Sequence, residues 1–204
     1  MSSLAFVEII TASQGLLPGP CAECLWWQTT QGQTTGTDRR LQWMAQLEHG
    51  WGSVGLVALE GDQTVAAIQF APVWALPRAH LLPPAAPPDD AVLFYCLRGR
   101  IGRPAYEAHK LLHRAMAHLR RRRTHEVYAY ARPLGSNALC GIRNLFGLEF
   151  LEANGFEIVQ SGPEHHLVRA DLRGLVPALA EAGSTVRRLT GAVGRPSPVT
   201  FESS

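Results

Sequence analysis

Residues 91–123 read AVLFYCLRGRIGRPAYEAHKLLHRAMAHLRRRR and carry the clearest structural pattern in the chain. The first seven of them form an almost continuous apolar run, which predicts a strand buried on both faces of a sheet. Pro104 occupies the position of a first helical residue, and apolar residues then recur at helical spacing from Ala108 to Leu119. The segment therefore predicts a buried strand, a tight turn and a long helix.

Strand and helix patterns continue on both sides of this segment. Further strands are predicted at residues 5–10, 54–59, 64–73, 127–130, 156–159 and 166–170. A helix is expected at 38–47, with Leu41, Met44, Ala45 and Leu47 as its buried stripe, a second at 144–153, and a short third at 175–182. This order of elements predicts an α/β (α+β) domain with a mixed sheet.

The length and composition favour one domain. A chain of 204 residues with 46% hydrophobic and 18% charged residues can bury a full core and is not disordered. We expect residues 1–182 to form this domain, with 183–204 as a flexible tail. There is no apolar run of membrane-spanning length and no signal-like start, and four cysteines are too few for a disulfide scaffold. A cytoplasmic protein with no membrane partner is the expectation.

The charge is distributed unevenly. Residues 91–143 contain ten Arg and one Lys against Glu107 and Glu126, a net charge of +9, whereas the rest of the chain carries −7. A concentrated positive field suggests a polyanionic ligand. Residues 120–123, four consecutive arginines, fall at the end of the predicted long helix, where cations suit the helix dipole. That structural explanation is favoured over nucleic-acid binding, which usually adds interleaved aromatic residues.

The turn between the buried strand and the long helix could bind an anion. It reads Arg98-Gly99-Arg100-Ile101-Gly102-Arg103 before Pro104. A helix start offers backbone N–H groups, glycines permit close approach, and arginines add charge, so a pyrophosphate would fit. The alternative is a tight turn whose arginines face water.

Across residues 50–171 the sequence resembles the GNAT superfamily of acyl-CoA N-acyltransferases. The resemblance rests on the strand at 92–97, the Arg/Gly turn and its helix, and a later run in which Asn144, Gly147, Leu151, Gly155 and Phe156 stand in the family register. The segment at 21–27 is also similar to some bacterial members, while the rest of residues 1–50 is divergent. The resemblance implies a mostly antiparallel sheet flanked by helices.

The same resemblance implies acetyl-CoA or another acyl-CoA as co-substrate and an amine as acceptor, with no metal and with a homodimer left open. The cofactor site would comprise Leu97, Arg98, Gly99, Arg100, Ile101, Gly102, Arg103, Pro104 and Asn144. The backbone N–H of Leu97 would stabilise the oxyanion, and Tyr95, Glu23 or Asp90 would take the amine proton. Two departures from the family pattern, the order of glycines in the turn and Leu151 in place of a proton-donating tyrosine, favour the alternative of a non-catalytic acyl-CoA-binding or partner-binding module.

Two other groups of residues admit a structural explanation. Cys21-x-x-Cys24 is half of a zinc motif, but no second half accompanies it, so structural thiols near Trp26 and Trp27 are the preferred interpretation. His109 and His113 lie four residues apart on the long helix and are expected at its solvated boundary.

Overall fold

The computed structural model describes residues 4–99, 105–133, 145–174 and 186–187. Their strands are β1 Leu4–Glu8, β2 Gly55–Glu60, β3 Gln63–Pro72, β4 Val92–Gly99, β5 Glu126–Arg132, β6 Phe146–Gly147, β7 Glu157–Ser161, β8 His166–Asp171 and β9 Val186–Arg187. The α-helices are α1 Gly19–Glu23, α2 Thr37–Gly50, α3 Ala105–Arg121 and α4 Leu148–Glu152, and short 3-10 helices cover Thr11–Leu16, Val73–Ala75 and Pro77–Leu81.

The strands form one mixed sheet in the order β7-β8-β5-β4-β3-β2-β1-β9, with β6 also paired to β5. The β1–β2, β2–β3, β3–β4, β5–β8 and β7–β8 pairs are antiparallel, and the β4–β5, β5–β6 and β1–β9 pairs are parallel. The predicted fold class is therefore confirmed. The parallel β4–β5 pair is joined by α3, as parallel strands require a crossover.

The sheet separates two hydrophobic cores. One core packs α3 against the sheet and includes Leu111, Leu112 and Phe94. The other lies under α2 and the N-terminal segment and includes Trp27, Met44 and Tyr95. Because β4 has core residues on both faces, the interpretation of its apolar run as a doubly buried strand is confirmed.

Two helix predictions need correction. In α2 the buried residues are Arg40, Met44 and Leu47, whereas Ala45 is exposed and Leu41 half-buried. The buried stripe thus starts at a charged residue that a purely apolar pattern cannot include. The helix expected from residue 144 begins at Leu148, because Phe146 and Gly147 pair with β5.

The C-terminal part is described only in part. Val186 and Arg187 pair in parallel with Phe6 and Val7, within the range expected to be a tail. The helix predicted at 175–182 lies outside the described residues. None of the described helices combines the length and apolarity that crossing a membrane would need.

Candidate functional site

Strand β4 separates from β5 halfway along its length. The two strands pair from Val92 to Phe94 of β4, although β4 continues to Gly99 and β5 to Arg132. At the same point the register between β3 and β4 shifts: Phe70 faces Phe94 and Gln69 faces Cys96, which leaves Tyr95 as the extra residue of a β-bulge. Bulges bend a strand and increase its twist, so the bulge accounts for the divergence of β4 from β5.

The divergence leaves backbone groups of β4 open to a ligand. Beyond Phe94, every second residue of β4 directs its N–H and C=O away from β3, and β5 does not take them up. Strand β6 pairs with β5 at Ala131 and Arg132, on the edge that faces β4, since β8 occupies the other edge at Ala131. The opening is thus bounded by β4 on one side and by β5 with β6 on the other.

Several predicted cofactor residues lie at the open end of β4. Leu97 is buried in the core beneath α3, and Arg98 and Gly99 are exposed at the end of the strand. Arg100, Ile101, Gly102, Arg103, Pro104 and Asn144 lie outside the described residues. The helix that follows begins at Ala105, so the strand and the helix predicted on either side of these residues are present.

A small cavity of about 90 Å³ borders the second half of β4 on the face covered by α1 and α2. Its lining residues are Pro20, Cys21, Cys24, Trp27, Gln28, Gln69, Tyr95, Cys96 and Arg98. Pro20 and Arg98 are exposed, so the cavity has its mouth at the surface. Because Tyr95 is the bulge residue, both Tyr95 and Cys96 point to this face of the sheet.

A polar network supports the wall of this cavity. The Tyr95 hydroxyl donates to Gln69 Oε1 at 3.1 Å, and Arg40 Nη2 donates to the Tyr95 oxygen at 3.2 Å and also to Gln69 Oε1. Arg40 is 1% exposed and its guanidinium carbon lies 4.6 Å from the Trp43 ring. Burial raises the pKa of Tyr95 to about 12, and Arg40 only partly opposes this. Tyr95 is therefore protonated at neutral pH, which makes it a hydrogen-bond donor and disfavours it as a base.

The thiol of Cys21 has a lowered pKa. A hydrogen bond with the Cys96 thiol is the largest cause, the guanidinium groups of Arg98 and Arg40 add to it, and burial opposes it. Together they bring the pKa from its ordinary 9.0 to about 7. Cys21, Cys24 and Cys96 are reduced in this structure. The sequence analysis interpreted Cys21 and Cys24 as structural thiols and did not predict the hydrogen bond between the Cys21 and Cys96 thiols.

A larger cavity of about 630 Å³ lies at the C-terminal end of β5. Its walls include Trp26, Arg132, Leu145, Glu164 and His165. Trp26 and Leu145 also belong to the hydrophobic core under α2, so both cavities lie on the same face of the sheet, one beside β4 and one beside β5. Cavities of this volume are typical of small-molecule sites.

The two carboxylates considered as bases lie away from the small cavity. Glu23 is exposed and does not line it. Asp90 precedes β4 at the opposite end from the opening, about 16 Å from Tyr95 along the strand. Leu151 is fully buried in the core beneath α3, so the position of the family tyrosine is filled by apolar packing.

The remaining candidate residues have structural contacts. Arg122 donates to the backbone oxygens of Ser53 and Trp51 and lies 4.0 Å above the Trp51 ring, which supports the structural explanation for that arginine. His109 Nδ1 lies 2.8 Å from Asn154 Oδ1, and burial lowers the pKa of the half-buried His113. Within the described ranges no three His, Cys, Asp or Glu residues are grouped as a metal site would require.

Sequence reasoning missed Arg40 and Gln69, which hold the bulge residue in place. Arg40 lies four residues before Met44 and seven before Leu47, so helical spacing alone places it on the buried face. Arg40 and Gln69 are 29 residues apart in the sequence, and no local sequence pattern predicts the hydrogen bond between them.

Solved acetyltransferase structures are similar to this chain at low sequence identity. The PaiA N-acetyltransferase of Thermoplasma acidophilum in complex with coenzyme A is 11% identical, with 83% of this chain and 99% of that chain covered and a TM-score of 0.55. The putative acetyltransferase YncA of Salmonella typhimurium with acetyl-CoA is 14% identical, with 86% and 97% covered and a TM-score of 0.54. Naa20 of Chaetomium thermophilum in complex with a bisubstrate analogue is 12% identical, with 83% and 87% covered and a TM-score of 0.50.

No protein-family model matches the sequence, and no curated protein matches it significantly. The structural likeness covers most of the chain and extends over nearly the whole length of the first two of these proteins. It establishes the fold, independently of the motif on which the sequence resemblance rests.

Proposed function

Since the chain has the fold of the GNAT acetyltransferases, we propose that it is an acyl-CoA-dependent N-acyltransferase. It would transfer an acyl group from acyl-CoA to an amine of a small molecule or peptide. The observation that carries this proposal is the opening between β4 and β5. Among the described residues its β4 edge has no partner strand and can pair with the amide-containing arm of CoA, and the opening lies between the two cavities and the exposed end of β4 at Arg98 and Gly99.

The residues of the turn would hold the pyrophosphate. Backbone N–H groups at the start of α3 and the arginines of residues 98–103 suit a doubly charged group. Asn144 would order the loop beside the CoA arm. With the cofactor fixed in this way, the thioester carbonyl would lie beside the second half of β4, where the backbone N–H of Leu97 would donate to the developing oxyanion.

The larger cavity beside β5 is the proposed acceptor site. Glu164 and His165 line it, and a carboxylate there would attract a protonated amine. The amine must lose a proton before or during its attack. The high pKa of Tyr95 keeps its hydroxyl protonated, so Tyr95 has the role of a positioning residue. The proton of the amine would pass to water in the larger cavity. Glu23 and Asp90 would act only through water.

Thermal unfolding with acetyl-CoA, CoA and pantothenate tests the cofactor site. At 100 times the dissociation constant, binding should stabilise the protein by about 2.7 kcal/mol. For a chain of this size the midpoint should rise by about 5 to 10 °C with both CoA ligands. Pantothenate, which lacks the pyrophosphate, should give no rise. An unchanged midpoint with every ligand would contradict the proposal.

Calorimetry on Arg98→Ala/Arg100→Ala tests the turn. Loss of two guanidinium groups from a pyrophosphate site should weaken CoA binding at least tenfold, since a charge-assisted hydrogen bond is worth about 1.5–3 kcal/mol. Arg39→Ala, an exposed arginine on α2, serves as the control and should leave the affinity unchanged. Equal affinity in all three proteins would remove the turn from the site.

A non-catalytic acyl-CoA-binding module is the second candidate. The burial of Leu151 favours it, because no hydroxyl stands there to protonate the departing CoA thiolate. Release of free thiol from acetyl-CoA with a panel of amines separates the two candidates. Turnover with any amine supports the enzyme, and stabilisation by CoA without turnover supports the binding module.

A further inference from the structure

Cys21, Cys24, Cys96 and Arg98 line the small cavity beside the open half of β4. Cys21 and Cys24 come from α1 and the residue after it, and Cys96 comes from β4. Arg98 and Arg40 act electrostatically on Cys21, and the Arg98 side chain also forms a hydrogen bond with it. The cluster therefore combines a sulfur nucleophile with positive charge, the environment that favours a thiolate over a thiol.

The cluster is next to the proposed position of the acyl group. Cys96 and Arg98 flank Leu97, whose backbone N–H is the proposed oxyanion donor, and both line the small cavity together with Cys21. Cys21 is 4% exposed and Arg98 is exposed at the mouth. The thiol is thus sheltered from bulk water, yet connected to the opening between β4 and β5.

The buried Arg40 hydrogen-bonds to the cavity residues Gln69 and Tyr95 and has further donors that these two bonds do not use. Its Nε and Nη1 atoms are buried and have no hydrogen-bond partner among the described residues. A buried guanidinium normally has its donors satisfied, and Arg40 also has no carboxylate within ion-pair distance in the described part of the chain. The Cys21 thiolate would supply the missing negative charge, since Arg40 already acts on it electrostatically.

We propose that Cys21 Sγ is a nucleophile that accepts the acyl group from acyl-CoA, an inference that rests on the proposed function. The Cys21 thiolate attacks the thioester carbonyl and forms a new S–C bond. The tetrahedral intermediate then expels the CoA sulfur as a thiolate, so that one thioester is exchanged for another and no oxidant or reductant is consumed. The acyl-Cys21 thioester remains reactive towards amines, as an acyl-enzyme requires.

The size of the cavity selects a short acyl chain. Its volume of about 90 Å³ is small beside the roughly 300–1,000 Å³ of sites for drug-sized ligands. An acetyl group is small enough for this space, whose lining includes the aromatic rings of Trp27 and Tyr95. Acetyl-CoA is accordingly the expected donor for Cys21.

The test is incubation of the intact protein with acetyl-CoA in the absence of an amine. We expect a mass increase of one acetyl group, release of an equal amount of free CoA, and assignment of the label to Cys21 by peptide mapping. Neutral hydroxylamine should remove the label, because it cleaves thioesters and leaves amides intact. The rate of labelling should increase with pH through about 7, the pKa of Cys21 beside Cys96, Arg98 and Arg40.

Matched variants separate Cys21 from its neighbours. Cys21→Ser should lower labelling at least tenfold, while Cys140→Ser, which removes the fourth cysteine of the sequence, should keep it. A thermal shift with CoA shows that each variant folds. Peptide mapping of the label on the wild-type protein identifies the acylated residue without any variant. A label on Cys24, on Cys96 or on an amine instead of Cys21 overturns the proposal.

The same experiment distinguishes this inference from the proposed function. Stabilisation by CoA with no label on Cys21 overturns the nucleophile and leaves the acyltransferase proposal in place, with direct transfer to the amine. Neither stabilisation nor label overturns both.

Discussion

At the scale of single residues, the Arg98 side chain contacts the Cys21 thiol and lines the small cavity. Its guanidinium group lowers the pKa of Cys21, so Arg98→Ala should raise that pKa from about 7 towards the ordinary 9.0. Alkylation by iodoacetamide, followed at Cys21 by mass spectrometry across pH, measures the shift. Arg39→Ala is the control and should leave the alkylation profile in place. A profile unaltered in Arg98→Ala would show that Cys96 and Arg40 suffice.

Tyr95 is the residue at which the structure most changes the sequence interpretation. A hydroxyl with a pKa of about 12 does not titrate in the working range of an acyltransferase. Tyr95→Phe should therefore leave the pH profile of acyl transfer unchanged between about pH 6 and 9. It should also cost about 1 kcal/mol of unfolding free energy from the lost hydrogen bond to Gln69, measured in urea. Disappearance of one limb of the pH profile would restore Tyr95 as the base.

At the scale of elements, local sequence patterns predicted seven of the nine described strands, α2 and α3, and the Gly155 turn that follows α4, but not the two-residue strands β6 and β9. Gly155 has a φ of +83°, as expected for a residue after a helix end. The bulge at Tyr95 was not predictable, because its position depends on register with β3. The Cys21–Cys96 contact was not predictable either, since α2, β2, β3 and two 3-10 helices separate the two residues in the sequence. The parts of the candidate site that lie within one segment were therefore predicted from the sequence. The contacts between distant segments were not.

Gly55, at the start of β2, shows how tightly the elements of the sheet meet. A Cβ there would lie 2.3 Å from the backbone oxygen of Ile68 and 2.7 Å from Ile9 Cδ1. Gly55→Ala should lower the free energy of unfolding by about 2–3 kcal/mol, because the backbone of β3 must move to admit it. Gly15→Ala, where no atom lies within 4 Å, should change it by less than about 0.5 kcal/mol. Urea unfolding of both variants measures the difference, and equal stabilities would mean that β3 yields freely.

At the scale of the whole molecule, the positive charge of residues 91–143 reaches both ends of α3. The helix has 17 residues and is therefore about 25 Å long. The Debye length is about 10 Å at 0.1 M salt, so arginines 120–123 are screened from a ligand at the turn that precedes the helix. We therefore expect the arginines of residues 98–103, rather than those of 120–123, to set the salt dependence of CoA binding.

This separation predicts different salt responses for two sets of variants. The affinity for CoA should fall several-fold between about 0.05 and 0.5 M salt, because phosphate contacts are weakened by screening. The decrease should be smaller in Arg98→Ala/Arg100→Ala, which lacks those contacts, and unchanged in Arg121→Ala, an exposed residue at the far end of α3. Calorimetry across the salt series measures all three. If Arg121→Ala flattened the salt dependence as much as the turn variant, the anion would bind at the C-terminal end of α3 instead. Duplex DNA can be tested in the same salt series. If the C-terminal end of α3 were a nucleic-acid site, the affinity for DNA would fall far more steeply with salt than the affinity for CoA.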